Sequence, residues 1–250
     1  NSSGNYNIAV GYQSLYSNTT ASYNTAVGYQ AGYSNTSGAE NTALGWLALY
    51  ANQTGNYNVA LGGEALKNNT SNGNVAVGTA TLYNNTTGGN NTAIGGADIA
   101  SFYNALARNT TGSYNIAVGG GALNANTTAN YNVAMGWQAL GSNTTASNNT
   151  AVGYQAGYSN TTGAENVSIG YQANYSLVSG TRNVSVGRSA GYSNTGNYNT
   201  LIGDQAGFSL TSGTNNVIVG PANAGYSMTT GSKNTIIGGF SGNQGGLDIR

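Results

Sequence analysis

The stretch Asn24-Thr25-Ala26-Val27-Gly28-Tyr29-Gln30-Ala31-Gly32-Tyr33 decides the fold, because variants of it recur along the whole chain. A Gly closes each copy four residues after an Asn, and nine of the thirteen intervals between these glycines are 17 residues long. A repeat this short is typical of a solenoid, in which each copy forms one coil and neighbouring coils bury a shared core. The fourteen glycines are Gly11, Gly28, Gly45, Gly62, Gly78, Gly95, Gly119, Gly136, Gly153, Gly170, Gly187, Gly203, Gly220 and Gly238.

The three residues between the Asn and the Gly predict a short strand. The first is β-branched in every copy, as in Thr25, and the third is Val, Ile, Leu or Met, as in Val27. The middle residue is Ala in the first nine copies. Such alternation gives a strand two different faces, and the Gly and the Asn-Thr-Thr turns in the copies argue against helix. We therefore expect an all-β solenoid of about 14 coils with a roughly 17-residue repeat.

Other constant positions predict how the coils stack. The Asn that precedes each strand would form a ladder of side-chain amides between in-register coils. The Gly after the strand would turn a corner that needs positive φ or has no room for a Cβ atom. A second small residue, such as Ala31, recurs three positions after the Gly and predicts a second strand in each coil.

The two faces of the strand have different expected environments. We expect the Ala row to fill a narrow coil interior and the Val-type row to face outward, where an apolar stripe needs a cover. Identical chains around an axis are the simplest cover. In the alternative, the Val-type residues fill the coil and the Ala row lies outside. The predicted interface residues are Val10, Val27, Leu44, Leu61, Val77, Ile94, Val118, Met135, Val152, Ile169, Val186, Ile202, Val219 and Ile237.

Composition excludes several classes of partner. The chain has no net charge, its few charges are scattered singly, and so it lacks the basic footprint of a nucleic-acid or anionic-membrane protein. No apolar run approaches the length of a membrane span, so we expect no membrane insertion by this segment. The 38% of hydrophobic residues stand at fixed offsets, which argues against a disordered tract.

Domain organisation is expected to be simple. We predict one solenoid domain over residues 1–250, with an extra loop at about residues 98–108 where one interval is 24 residues long. The start at Asn1 without Met suggests a fragment of a longer chain. The change of the middle strand residue to Leu201, Ile218 and Ile236 suggests that the cross-section widens near the C-terminus or that the roll approaches a junction.

The sequence contains few residues of the types that commonly act in catalysis. The chain has no His and no Cys, which removes the usual general base and nucleophile pairs and the soft metal ligands. Its six carboxylates fall at different phases of the repeat, so a pair for glycoside hydrolysis is not expected within one chain. We therefore expect no enzyme activity, no cofactor and no metal site.

Aromatic side chains are the candidate ligand contacts. Six of them share the phase after the Gly, where neighbouring coils would stack them into short ladders able to pack against sugar rings. In the simpler interpretation they only cover the corner of the coil. Two further aromatics lie in the extra loop. The Asn-x-Ser/Thr triplets are explained by turn chemistry without glycosylation. The candidates are Tyr12, Tyr29, Trp46, Trp137, Tyr154 and Tyr171 in the repeat, and Phe102 and Tyr103 in the loop.

The repeat resembles two known kinds of fibre. Asn7-Ile8-Ala9-Val10-Gly11 and its relatives resemble the Ser-Val-Ala-Ile-Gly repeat of YadA-type trimeric autotransporter heads. Longer copies, such as residues 149–163, are similar to repeats of bacteriophage tail fibres, and residues 245–250 look like the approach to an endosialidase-type chaperone region. The resemblance implies a left-handed parallel β-roll, a homotrimer of side-by-side chains, and longer turns than the shorter autotransporter coil has.

The expected function is that of a structural shaft and adhesin segment in an extracellular trimeric fibre, on a virion tail or a cell surface. Its partners would be two further copies of itself and a host cell-surface glycan or protein, without nucleic acid. Three alternatives stay open: a bacterial surface adhesin head, a monomeric ice-binding solenoid with regularly spaced Thr, and a glycan depolymerase whose acidic residues meet between chains.

Overall fold

The computed structural model describes residues 3–96 and 103–241. The chain divides into two compact units, Asn1–Tyr131 (unit 1) and Asn132–Arg250 (unit 2). Each unit contains seven three-residue strands. Unit 1 contains β1 Ile8–Val10, β2 Thr25–Val27, β3 Thr42–Leu44, β4 Val59–Leu61, β5 Val75–Val77, β6 Thr92–Ile94 and β7 Ile116–Val118. Unit 2 contains β8 Val133–Met135, β9 Thr150–Val152, β10 Val167–Ile169, β11 Val184–Val186, β12 Thr200–Ile202, β13 Val217–Val219 and β14 Thr235–Ile237.

Within each unit every strand pairs in parallel with the strand of the next coil. The register places equivalent residues opposite one another, so that Ala26 pairs with Ala9 on one side and with Ala43 on the other. The same holds in unit 2, where Ser168 pairs with Ala151 and Ser185. The parallel β-solenoid with a repeat of about 17 residues is therefore confirmed.

Over residues 3–96 and 103–241 each coil has one strand, so the predicted second strand is wrong. The segment around Ala31 forms a chain of turns in which Gln30 and Gly32 have φ of 53° and 60°. Their amides still bond to adjacent coils, since Gln30 N donates to Tyr12 O and Gly32 N donates to Ala48 O, both at 2.9 Å. Alternating left-handed residues prevent an extended strand but preserve hydrogen bonds to the coil before and the coil after.

Small residues fill the coil interior, as predicted. Ala26 is 1% exposed and Ala31 is fully buried, while Thr25 and Val27 on either side of Ala26 are half-buried. The alternative arrangement, with Val-type residues inside and the Ala row outside, is therefore wrong.

A third interior row lies four residues after the constant Gly, and it holds Leu or Gly in most coils. Leu49, Leu66 and Leu82 are at most 1% exposed and have φ of 52° to 54°, a region that Leu seldom adopts. Where Gly replaces Leu, a large side chain from elsewhere fills the space. A Cβ atom at Gly225 would lie 2.6 Å from Ile218 Cδ1. The larger strand residues near the C-terminus thus occupy volume left by glycines, which replaces the expected widening as their explanation.

The constant Gly turns the corner after each strand, as predicted. Gly28 has φ of 140°, and a Cβ atom on it would lie 2.5 Å from the carbonyl oxygen of Gly45. Both conformation and close approach of the next coil therefore require Gly here.

The extra loop is shorter than residues 98–108. Ala105 and Leu106 occupy the regular turn positions, since Ala105 N donates to Gly95 O at 2.9 Å and Leu106 is buried with φ of 51°. Tyr103 also holds a regular turn position instead of a place in the loop, since its carbonyl oxygen accepts from Gly121 N at 2.7 Å, as Tyr12 O accepts from Gln30 N. The seven additional residues are therefore 96–102. Of these, residues 97–102 lie outside the described part of the chain.

Candidate functional site

The outer face of the sheet carries a row of aliphatic side chains in each unit, which we call the aliphatic column. It consists of the third residue of every strand, and its members are half-buried or exposed: Leu44 is 48% exposed and Met135 is 43% exposed. No charged residue interrupts it in either unit. Unit 1 contributes Val10, Val27, Leu44, Leu61, Val77, Ile94 and Val118, and unit 2 contributes Met135, Val152, Ile169, Val186, Ile202, Val219 and Ile237. The structure thus places all predicted interface residues outward.

A continuous ladder of Asn side chains precedes the strands, as predicted. In unit 1 the backbone N–H of each Asn donates to Oδ1 of the Asn one coil earlier, at 2.9–3.0 Å throughout. Unit 2 repeats the pattern from Asn132 to Asn234. The Nδ2 group donates to a turn carbonyl, as from Asn41 to Gly55 O at 2.8 Å. Asn suits this position because it accepts and donates at once.

A second Asn ladder lies in the turns, and our sequence reasoning missed it. Asn85, Asn109 and Asn126 are fully buried, and their Nδ2 atoms link them in sequence at 2.7 Å. Each Nδ2 also donates to a carbonyl three residues on, as from Asn109 to Gly112 O at 2.8 Å. The signal was available, because an Asn recurs eleven residues after the first Asn in most copies. Because Asn is common in exposed turns, the burial of this second Asn was not predicted.

Four of the predicted ligand contacts form two stacked pairs. Tyr12 and Tyr29 stack at 5.4 Å between ring centroids, and Tyr154 and Tyr171 stack at 5.3 Å. The short ladders expected at this phase are therefore confirmed, while ligand binding by them stays a prediction.

The remaining ligand candidates are placed differently. The Trp46 ring lies against Gly63, where a Cβ atom would collide with it. Trp46, Tyr103 and Trp137 are each a little under half exposed. Phe102 lies outside the described residues.

The longest aromatic ladders occupy a different phase, five residues after the constant Gly, which the sequence reasoning missed. We call this row the turn-face ladder. Unit 1 stacks three rings, Tyr16, Tyr33 and Tyr50, at 5.2–5.3 Å. Unit 2 stacks five consecutive rings at 5.0–5.4 Å. They are Tyr158, Tyr175, Tyr192, Phe208 and Tyr226.

The turn-face ladder changes the ionisation of one of its own members. Burial raises the pKa of the Tyr175 hydroxyl, and repulsion from the phenolates of Tyr192, Tyr158 and Tyr154 raises this pKa further.

Charged side chains that stand singly in the sequence form ion pairs in the structure, most of them between neighbouring coils. Arg182 Nε donates to Glu165 Oε2 at 2.7 Å, and Arg188 Nη2 to Asp204 Oδ2 at 2.9 Å. The hydrogen bond from Arg182 lowers the pKa of Glu165. Both pairs are solvent-exposed, so they contribute little to stability but neutralise the surface locally.

Clusters able to hold a metal ion were sought among residues 3–96 and 103–241. No group of three or more His, Cys, Asp or Glu side chains comes together there. In the same ranges no helix has the length and hydropathy to cross a membrane.

Comparison with known proteins adds no relative. No family model matches the chain, and neither a curated protein nor a solved structure is significantly similar to it.

Proposed function

We propose that this chain is a non-enzymatic shaft and adhesin segment of an extracellular homotrimeric fibre, such as a phage tail fibre or a bacterial surface adhesin. The observation that carries the proposal is the aliphatic column, which runs along the outer sheet face of each unit without a charged residue. An apolar surface that extends over successive coils is unusual for a chain that stays monomeric in water.

A second copy of the same chain fits the aliphatic column best. Its side chains repeat once per coil at the spacing of parallel strands, about 4.8 Å. A partner must match that spacing over several coils, and an identical chain does so by construction. Closed rotational symmetry then covers the column on every copy without leaving an open end.

The internal ladders suit a load-bearing role. The first row of Asn amides joins each coil to the next within a unit, and the second row and the stacked rings add contacts between some of the coils. Because these bonds lie between coils, they resist separation of coils along the stacking direction.

Solution mass tests the proposal. The chain has a mass of 25.2 kDa, so light scattering should give three times that value over a wide range of concentrations. A stable monomer would contradict the trimer.

A further inference from the structure

A cavity of about 270 Å³ opens in unit 1, beside the regular turn that follows the additional residues 96–102. Its wall comes from three successive coils. Besides Ala80, the lining residues are Tyr83, Asn84, Asn104, Ala107, Arg108 and Asn124.

The cavity exists because the turn-face ladder lacks rings there. Tyr83 belongs to that ladder, but the equivalent residues of the next two coils are Ala107 and Asn124. Asn84 N donates to Ala107 O at 3.1 Å, which fixes Ala107 in the coil directly after Tyr83. Neighbouring rings of the ladder stack at 5.0–5.4 Å, so the ring missing beside Tyr83 would have occupied a layer one six-membered ring deep.

One face of the Tyr83 ring is already occupied and the other faces the cavity. The Lys67 ammonium lies 5.2 Å from the ring centroid, on the side of the preceding coil. Among the described residues no ring stacks on the opposite side, where Ala107 lies. A ligand ring can therefore take the place of the missing rung.

The polar groups of the wall favour an anionic ligand. Arg108 is exposed, and its guanidinium has no ion-pair or hydrogen-bond partner among the described residues. The other described Arg residues, Arg182 and Arg188, both pair with carboxylates. The Asn84 side chain is exposed at the same cavity, and its amide can bond to hydroxyl groups. A guanidinium binds a carboxylate through two parallel hydrogen bonds.

We propose that this cavity binds a carboxylated pyranose, one residue of an acidic glycan. The pyranose ring stacks on the free face of Tyr83 through its C–H bonds, and its carboxylate pairs with Arg108. Apolar contact with Ala107 and a few convergent polar groups match the usual composition of small-ligand sites. The inference deepens the adhesive part of the proposed function, on which it rests. All lining residues come from one chain, so it does not require the trimer.

Titration calorimetry on the intact chain tests the site with methyl glucuronide, methyl N-acetylneuraminide and methyl glucoside as probes. We expect at least one of the two acids to bind at least about tenfold more tightly than the neutral glucoside. Arg108→Gln should abolish this preference. Ala107→Phe should abolish binding, because it supplies the missing ring, and it should fold because Phe208 occupies the same phase. Lys233→Gln removes the same charge outside the cavity and should leave binding unchanged.

Several results would overturn the site. The site is wrong if neither acid binds or if acidic and neutral sugars bind equally well. It is also wrong if Ala107→Phe binds as the unmodified chain does, or if Arg108→Gln keeps the preference for the acid. Circular dichroism and solution mass of each variant separate these results from failure to fold or to assemble. A chain that assembles as a trimer but binds no acid loses this site and keeps the proposed shaft.

Discussion

Leu201 fills the space that Gly207 leaves inside the same coil. A Cβ atom on Gly207 would lie 2.9 Å from Leu201 Cδ2. Coils of unit 1 show the opposite combination, with Ala60 in the strand and Leu66 in the turn, both fully buried. These two coils therefore conserve their interior volume by exchanging a large and a small residue between two facing rows.

A double-mutant cycle tests this exchange. Leu201→Ala should cost about 2–5 kcal/mol by leaving a cavity. Gly207→Leu should cost about 1–3 kcal/mol by overpacking. The double variant recreates the Ala60 and Leu66 arrangement, so it should be more stable than the sum of the two costs by at least about 1 kcal/mol. Chemical denaturation measures all three, and purely additive costs would contradict volume exchange.

Replacing Asn with Leu should be costly at one position of the second Asn ladder and nearly neutral at another. Asn109→Leu breaks bonds to Asn85 and Asn126 and removes the Nδ2 donor that the buried Asn85 Oδ1 accepts from, which should cost about 2–3 kcal/mol or more. The coils on either side of Asn194 carry Leu177 and Leu210 at this position, and Asn194 Nδ2 is buried without a hydrogen bond. Asn194 Oδ1 accepts from Gly196 N and Asn199 Nδ2, but both donors keep a second acceptor when it is lost. Asn194→Leu should therefore change stability by less than about 1 kcal/mol.

Thermal denaturation of both variants provides the measurement, with each serving as the matched control of the other. Equal losses at the two positions would show that the ladder bonds themselves contribute little.

Stability should fall in alkaline solution because of the turn-face ladder of unit 2. The pKa of Tyr175 is raised in the folded chain, so its stabilising effect is complete below the ordinary pKa of 10.0 and is lost as pH rises through the folded pKa. We expect Tyr175→Phe to reduce this loss, with little change at neutral pH since Phe208 is accepted in the same ladder. Denaturation midpoints at pH 8 to 11 check it, and an unchanged alkaline slope would contradict it.

A charge on the aliphatic column should dissociate the proposed trimer. Val152→Lys puts an ammonium at a half-buried outward position, so the single chain should fold normally while association weakens. Thr162→Lys adds the same charge on an exposed turn and should remain trimeric. Sedimentation velocity distinguishes the two, and an intact Val152→Lys trimer would exclude the column as the interface.

The parts of the fold that were predictable from the sequence are those where one residue type recurs at one phase. Asn24, Ala26 and Gly28 each have a single chemical role that the repeat displays in almost every copy. Alternation about Ala26 then fixed which strand face is buried, since side chains in a strand point to opposite sides.

The turn half of the coil was less predictable, for physical reasons. Left-handed φ at Leu66 is uncommon for a branched aliphatic residue, so the small residues beside it resembled a strand. Burial of Asn109 is equally invisible in sequence, because Asn is common in exposed turns. The ladder from Tyr158 to Tyr226 was not predicted, because aromatic residues also occur at a second phase, directly after the constant Gly.

The corner between Gly95 and Tyr103 accepts seven extra residues while Ala105 N still bonds to Gly95 O. Coil closure at this corner therefore does not depend on the length of the connection, unlike the strand register on the opposite side. A foreign peptide inserted there would be carried on the outside of an undisturbed coil. The solenoid can thus acquire new recognition loops by simple insertion, without any redesign of its interior.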